Sequence, residues 1–329
     1  GKEAGANAFN PGTFDFHKYG AYLSGPVIKN KLFFFLSYED DAVTQPGTTF
    51  TANTGSQTVG GNTTRVLASD LDTLSTYLKT NFKYDTGPYQ GYDHSTPSKR
   101  YLAKLNYNLN SRNKLNFRFS RLDSSTDVLL SNSSSAGFGN RRTSTLGLNF
   151  QNSNYSILEN NRSAIAEWNG TFGTNSANTL IVGFNKSDES RGYRGELFPM
   201  VDILKEGSVY TTFGFEPFTP NNELRYKSWQ FQDNFTMYRG KHTFTVGASA
   251  ERYESDNVFY PASQGVYVYN SLAEFYADAN GFLANPNRTT TTSPARRFQV
   301  RYLNIPGLEK PSQPLQVWYA GLYGQDEWQ

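Results

Sequence analysis

Paired segments in which apolar and polar residues alternate constrain this chain more than any other feature. Ala103, Leu105, Tyr107 and Leu109 alternate with Leu102, Lys104, Asn106 and Asn108. A short polar turn at 110–113 follows, and the chain returns through Leu115, Phe117 and Phe119, interleaved with Asn116, Arg118 and Ser120. Period two places successive side chains on opposite faces, so each segment reads as a strand with one greasy and one wet face. The unit recurs at 16–25 with 31–40, at 101–109 with 114–122, at 164–172 with 179–187 and at 226–238 with 242–253. A further strand begins at 316–328. Tight polar turns close the pairs. Long excursions at 41–98, 123–162, 188–224 and 254–314 separate them.

About nine such strands, with short turns at one end and long loops at the other, match an all-β, antiparallel transmembrane β-barrel of the outer-membrane type. The composition is compatible. Only 37% of the 329 residues are hydrophobic and the mean hydropathy is −0.62, but a barrel needs apolar residues only at alternate strand positions. Tyr (22) and Phe (25) are abundant, as strands and interfacial aromatic girdles require. No run of about 18 apolar residues offers a transmembrane helix. A soluble sandwich also alternates, so a secreted all-β binding or adhesive protein is a rival on alternation alone. A plugless porin or secretion-related barrel is another.

Residues 1–15 read as an irregular linker, and Gly1-Lys2-Glu3-Ala4 lacks the apolar region of a signal peptide. Strand 316–328 has no hairpin partner, and hydrocarbon forbids an unpaired edge. The expectation is that residues 16–329 form part of a larger barrel. Within the excursions, Leu71, Leu74, Tyr77 and Leu78 predict a helix over 69–82, with Ser69 and Asp72 as a capping box. Leu272, Phe275 and Tyr276 predict another over 271–282. Residues 145–150 are expected to extend a strand beyond the membrane. The third excursion carries Pro199, Pro217 and Pro220, and the last holds a threonine run, Thr289–Thr292.

Net charge is +2, which gives no basis for nucleic-acid binding, and cysteine is absent. His17, His94 and His242 are scattered and lack metal-ligand spacing. Glu39-Asp40-Asp41 ends a strand without an ordered Ca²⁺-ligand pattern. Triplets such as Asn132-Ser133-Ser134 and Asn169-Gly170-Thr171 carry no weight in a chain this rich in Asn, Ser and Thr. No P-loop, GxSxG elbow or HExxH occurs, so no catalytic residue, metal site or cofactor is assigned. The loop aromatics Phe213, Phe215, Phe218, Tyr267 and Tyr269 either stack on a ligand or, as favoured, pack the loops together or sit at the interface belt. Arg118, Lys104, Glu167 and Glu251 face the lumen, where they line a hydrated wall or touch plug or solute. The residues that bind substrate are not identifiable from sequence.

One string is more specific. Gly25–Glu39, Gly-Pro-Val-Ile-Lys-Asn-Lys-Leu-Phe-Phe-Phe-Leu-Ser-Tyr-Glu, closely resembles the early barrel hairpin of TonB-dependent outer-membrane receptors of the Oar-like type. These often carry a carboxypeptidase-regulatory-like domain. Gly240-Lys241-His242-Thr243-Phe244-Thr245-Val246-Gly247, Phe198-Pro199 and Tyr323-Gly324-Gln325-Asp326-Glu327-Trp328 are similar to further segments of that family, in the same order. The resemblance implies a barrel of about 22 strands holding a plug domain. It also implies the outer-membrane lipid, an extracellular solute (siderophore, oligosaccharide or peptide), the chain's own plug and the TonB complex as partners. The activity implied is transport, not catalysis.

Overall fold

The computed structural model describes residues 9–289 and 293–329. Residues 1–8 of the linker and Thr290–Thr292 of the threonine run lie outside the described residues. Nine long strands form one antiparallel meander: β1 Asp15–Ile28, β2 Leu32–Pro46, β3 Asp93–Asn110, β4 Asn113–Val128, β5 Asn160–Phe172, β6 Ser176–Asp188, β7 Asn222–Arg239, β8 His242–Phe259 and β9 Ser312–Trp328. Each pairs with the strands before and after it in sequence. Among the described residues β1 pairs only with β2, and β9 only with β8. The turns use residues that tolerate positive φ, such as Asn30 (φ 61°) and Gly240 (φ 62°).

The register joins the apolar positions of successive strands into one face. Leu105 stands opposite Phe34 and Phe117, Phe117 opposite Ala166, and Ala166 opposite Val182. Val182 meets Phe231, Phe231 meets Ala250, and Ala250 meets Ala320. This face is not covered by protein: Leu105 is 44% exposed, Phe117 46% and Leu322 87%. On β3 it runs from Tyr101 to Leu109. Eight residue steps at ~3.3 Å, tilted ~40°, give an apolar height of about 20 Å, close to the ~25 Å of an outer-membrane band. Aromatic pairs mark both margins, Tyr38 with Tyr101 at the loop end (5.0 Å between centroids) and Phe172 with Phe235 at the turn end (6.3 Å). The opposite face carries Lys104 opposite Arg118, Asn106 opposite Asn116, and Gln230 opposite Glu251. Hydrocarbon on one side and water on the other account for this division.

The strands run past their predicted limits at the loop end. β3 starts at Asp93, eight residues before the alternation begins, and stays paired with β2 through Asp93 and Pro46. Above the membrane both faces are wet, so pairing continues where the sequence pattern fades.

The four excursions fold together into a cap with its own core. α1 (Ala68–Phe82) presents Leu71, Leu74 and Leu78, all fully buried, to Val201, Ile203, Tyr210 and Phe213. α2 (Leu272–Ala284) adds Phe275 and Ala279. Met200–Lys205 and Ser208–Phe213 form a hairpin, extended by Val266–Tyr269 and Arg297–Gln299 into a four-stranded sheet. The third and fourth excursions thereby share one sheet. The hairpin turn Glu206-Gly207 has positive φ at both residues (52° and 74°), as a tight hairpin turn requires.

The third excursion, to which the sequence assigned no element, holds this hairpin. Two expectations are corrected. The Ser69–Asp72 capping box does not form: the helix is capped at Leu67, without a side-chain cap bond. The Tyr210 hydroxyl bonds Leu67 N (2.8 Å) and donates to Asp70 (2.7 Å), replacing the box with a tertiary contact. Residues 145–150 do not extend the wall. Leu148 N and Phe150 N donate instead to Tyr210 O and Thr212 O, at 3.0 and 3.3 Å. The helix expected at 271–282 forms as α2, with the Ser271 hydroxyl accepting from Glu274 N at 3.2 Å.

Candidate functional site

Where the polar face meets the cap, the strand ends and loops border an open cavity of about 610 Å³. Period two brings Leu122, Asn161, Ser187 and Tyr226 of β4 to β7 into one row at its wall. Glu159, Glu189, Arg191 and Asn222 also line it, with the apolar Ile157 and Leu224 and with Asn257. The Tyr226 hydroxyl donates to Glu189 Oε1 at 2.8 Å, and Arg191 lies over the Tyr155 ring at 4.7 Å. Carboxylates, a guanidinium, carboxamides and a phenol thus converge on one volume. Such a lining hydrogen-bonds a polar solute and offers no nucleophile paired with a base.

A second cavity, about 290 Å³, lies within the cap. Phe82, Phe198, Tyr267, Phe275 and Phe282 line it, with Asp278 and Arg288. Burial pushes the Asp278 carboxyl up, but hydrogen bonds from Tyr269, Ser293 and Arg288 outweigh this and hold it below the usual carboxylate range. Burial and the same carboxylate push the Tyr269 phenol up. Aromatic faces beside a fixed ion pair suit a ring with polar substituents.

The loop aromatics pack the loops together. Phe213 and Phe215 are buried, and Phe218 is partly buried beside Met200 and Val266. Tyr269 is buried in the same core as Phe213, Tyr267 packs against it, and both border the second cavity. On the polar face, Glu167 accepts from Asn116 (3.2 Å) and Glu251 from Gln230 (3.3 Å), while Lys104 lies over Phe35. Arg118 stands beside Lys104 in the adjacent strand. The structure does not bring the histidines together. His17 lies 3.9 Å from Asp40, His94 is buried beside Asn154, and His242 meets Asp326 at 2.8 Å. Glu39 and Asp41 point to the face opposite Asp40. Arg100 takes both of them (3.6 and 2.6 Å), while Tyr38 donates to Asp40 (2.8 Å). Among the described residues no group of three or more His, Asp or Glu is arranged to hold a metal.

Sequence reasoning missed Glu159, Glu189, Arg191, Asp278 and Arg288. For Glu189 a signal existed: it shares the polar-face parity of Ser187. Nothing local marks Arg288, which finds Asp278 across ten residues at 2.6 Å.

An antiparallel wall with a bare apolar face, a polar inner face and a loop cap defines an outer-membrane β-barrel wall. Residues 4–329 match the outer membrane beta barrel domain family, and the chain belongs to it. The protein is accordingly one of the outer membrane. No curated protein matches. Among solved structures, the outer membrane transporter YddB from Escherichia coli superposes with a TM-score of 0.56 at 10% identity, over 96% of this chain and 32% of that one. The siderophore receptor PirA from Acinetobacter baumannii gives 0.39 at 10% identity, over 78% and 30%. The ferric-catecholate import receptor Fiu from Escherichia coli K12 gives 0.39 at 10%, over 97% and 42%. The chain thus spans about a third of the length of YddB.

Proposed function

We propose that this wall belongs to a TonB-dependent transporter of the Oar-like type, in which β1 to β9 are part of a barrel of about 22 strands enclosing a plug. The observation that carries the reading is the convergence of Glu159, Glu189, Arg191 and Tyr226 at the loop end of the polar face. A solute arriving from outside meets hydrogen-bonding groups there before it meets the lumen. The outer edges of β1 and β9, unpaired among the described residues, support completion of the wall by further strands, since hydrocarbon does not tolerate free backbone groups. The resemblance of Gly25–Glu39 to the Oar-like hairpin supports the subtype. In this reading TonB, driven by the proton-motive force, shifts the plug, and the solute passes unchanged into the periplasm.

The test is binding of the intact membrane-inserted product to the purified periplasmic domain of TonB. A stable complex, lost when the TonB box preceding the plug is deleted, is expected. An inserted product that does not bind TonB and conducts small ions freely across a planar bilayer would be a plugless pore instead.

A further inference from the structure

On the bare apolar face, at its loop-end margin, four cations stand side by side on adjacent strands. Arg121 of β4 is opposite Arg162 of β5, Arg162 is opposite Lys186 of β6, and Lys186 is opposite Lys227 of β7. At ~4.8 Å between strands the row extends about 14 Å. Like charges directly opposite each other destabilise a sheet, so such a row calls for anions. Carboxylates answer the row only in part, leaving out Lys186. Asp123 takes Arg121 (2.6 Å) and Arg162 (2.5 Å), and Glu254 takes Lys227 (2.7 Å). Asp188, the next residue on this face of β6, is taken by Arg225 at 3.3 Å. Lys186, flanked by a cation on each side, is exposed and among the described residues has no carboxylate within 4.0 Å.

One step toward the membrane centre, the same strands carry Phe119, Ala164, Phe184 and Trp229. The small Ala103 and Ala164 between these rings leave an apolar groove of about 440 Å³. At the turn end the corresponding face offers Asn113, Asn178 and Asp233.

We propose that Arg162, Lys186 and Lys227 seat the phosphate of an acylated lipid in the loop-side leaflet, with an acyl chain in the groove beneath. Charge selects the occupant: the cation surplus centres on Lys186, directly above hydrocarbon-lined space. A neutral lipid would leave the repulsion between these cations unanswered. Bulk anions would leave the groove unfilled.

The test uses the detergent-purified protein and monophosphoryl lipid A, with its dephosphorylated counterpart as control. Retention is read by native mass spectrometry, and stability by thermal melting. Wild type is expected to retain the phosphorylated lipid at least tenfold better than the control. Lys186→Glu and the milder Lys186→Met should each cut retention at least tenfold, while Lys104→Met on the opposite face should not. Lys186→Met should also raise the melting temperature of lipid-free protein, because the cross-strand repulsion is gone, and lose the gain that lipid gives wild type. Unchanged retention in folded Lys186→Met, equal retention of the dephosphorylated lipid, or displacement by millimolar inorganic phosphate would each overturn the proposal.

Discussion

Replacing Arg141 by methionine should open the loop cap while leaving the membrane wall intact. Arg141 and Asp202 are both fully buried, with Arg141 Nε 2.8 Å from Asp202 Oδ1. The guanidinium also donates to the carbonyls of Ser131 (3.1 Å), Ser133 (2.9 Å) and Ala136. Asp202 further accepts from Phe138 N (2.7 Å) and Thr212 Oγ1 (2.9 Å), which leaves the pair's polar groups partnered. Gly137 permits this approach. It has φ 75°, and a Cβ there would collide with Arg141 Nη2 and lie 2.6 Å from Asp202 Oδ2. Removing one partner strands a buried carboxylate and three carbonyls. Breaking such a pair costs about 3–5 kcal/mol, whereas replacing both partners by apolar groups is often near neutral. Arg141→Met should therefore raise the opening equilibrium of the cap by roughly two to three and a half orders of magnitude. Arg141→Met with Asp202→Leu should recover most of that loss. Hydrogen exchange on the membrane-embedded protein, read at 200–213, measures both. Unchanged protection in the single variant, or a double variant as open as the single one, would refute the reasoning.

Arg at Leu105, midway across the apolar band, should cost up to ~2–4 kcal/mol in refolding into lipid, and Arg at Asn106 far less. Equal costs would reverse the face assignment. Glu216 is buried, and burial is the main reason its carboxyl is raised above the ordinary 4.5, despite hydrogen bonds from Thr219 and Phe218 N. A raised folded pKa favours the protonated form, so this contribution is full below about 4.5 and is lost as pH climbs through the raised value. Exchange protection at 214–221 should fall in wild type as pH rises above 4.5, and Glu216→Gln should remove that dependence. Ser271→Ala should destabilise α2 by about 0.5–2 kcal/mol by removing its cap, measured as faster exchange over 272–284. If the 610 Å³ cavity receives solute, Arg191→Ala should weaken binding to the intact receptor without lowering its abundance in the membrane.

Much of the wall was legible because its physics is local. Period two along Tyr101–Leu109 or Phe244–Ala250 needs no knowledge of partners, and tight turns such as Arg239-Gly240-Lys241 fix the register. The loop cap was not legible in the same way. Met200–Lys205 is an apolar segment broken by Asp202, too short to show a period, and its parallel partner Val266–Tyr269 lies some 65 residues away in sequence. Arg141 and Asp202 are 61 residues apart, and a buried ion pair leaves no periodicity. A local cue overlooked in the cap was Glu206-Gly207, a hairpin turn between Ile203-Leu204 and Val209-Tyr210. Cavity residues were hidden for the same reason: Tyr226 and Glu189 meet only once β6 and β7 are in register. The Ser69 motif shows the reverse error, a local pattern displaced by the more distant Tyr210 hydroxyl.

The most direct test is a single-cysteine spin-label scan of 115–120 on β4 in lipid bilayers, free of background because the chain contains no cysteine. Labels at Leu115, Phe117 and Phe119 should be reached by membrane-dissolved oxygen, and those at Asn116, Arg118 and Ser120 by a water-soluble nickel chelate. Loss of the alternation, with 115, 117 and 119 shielded from both reagents as in a packed sandwich, would mean that protein, not lipid, is the solvent for that face.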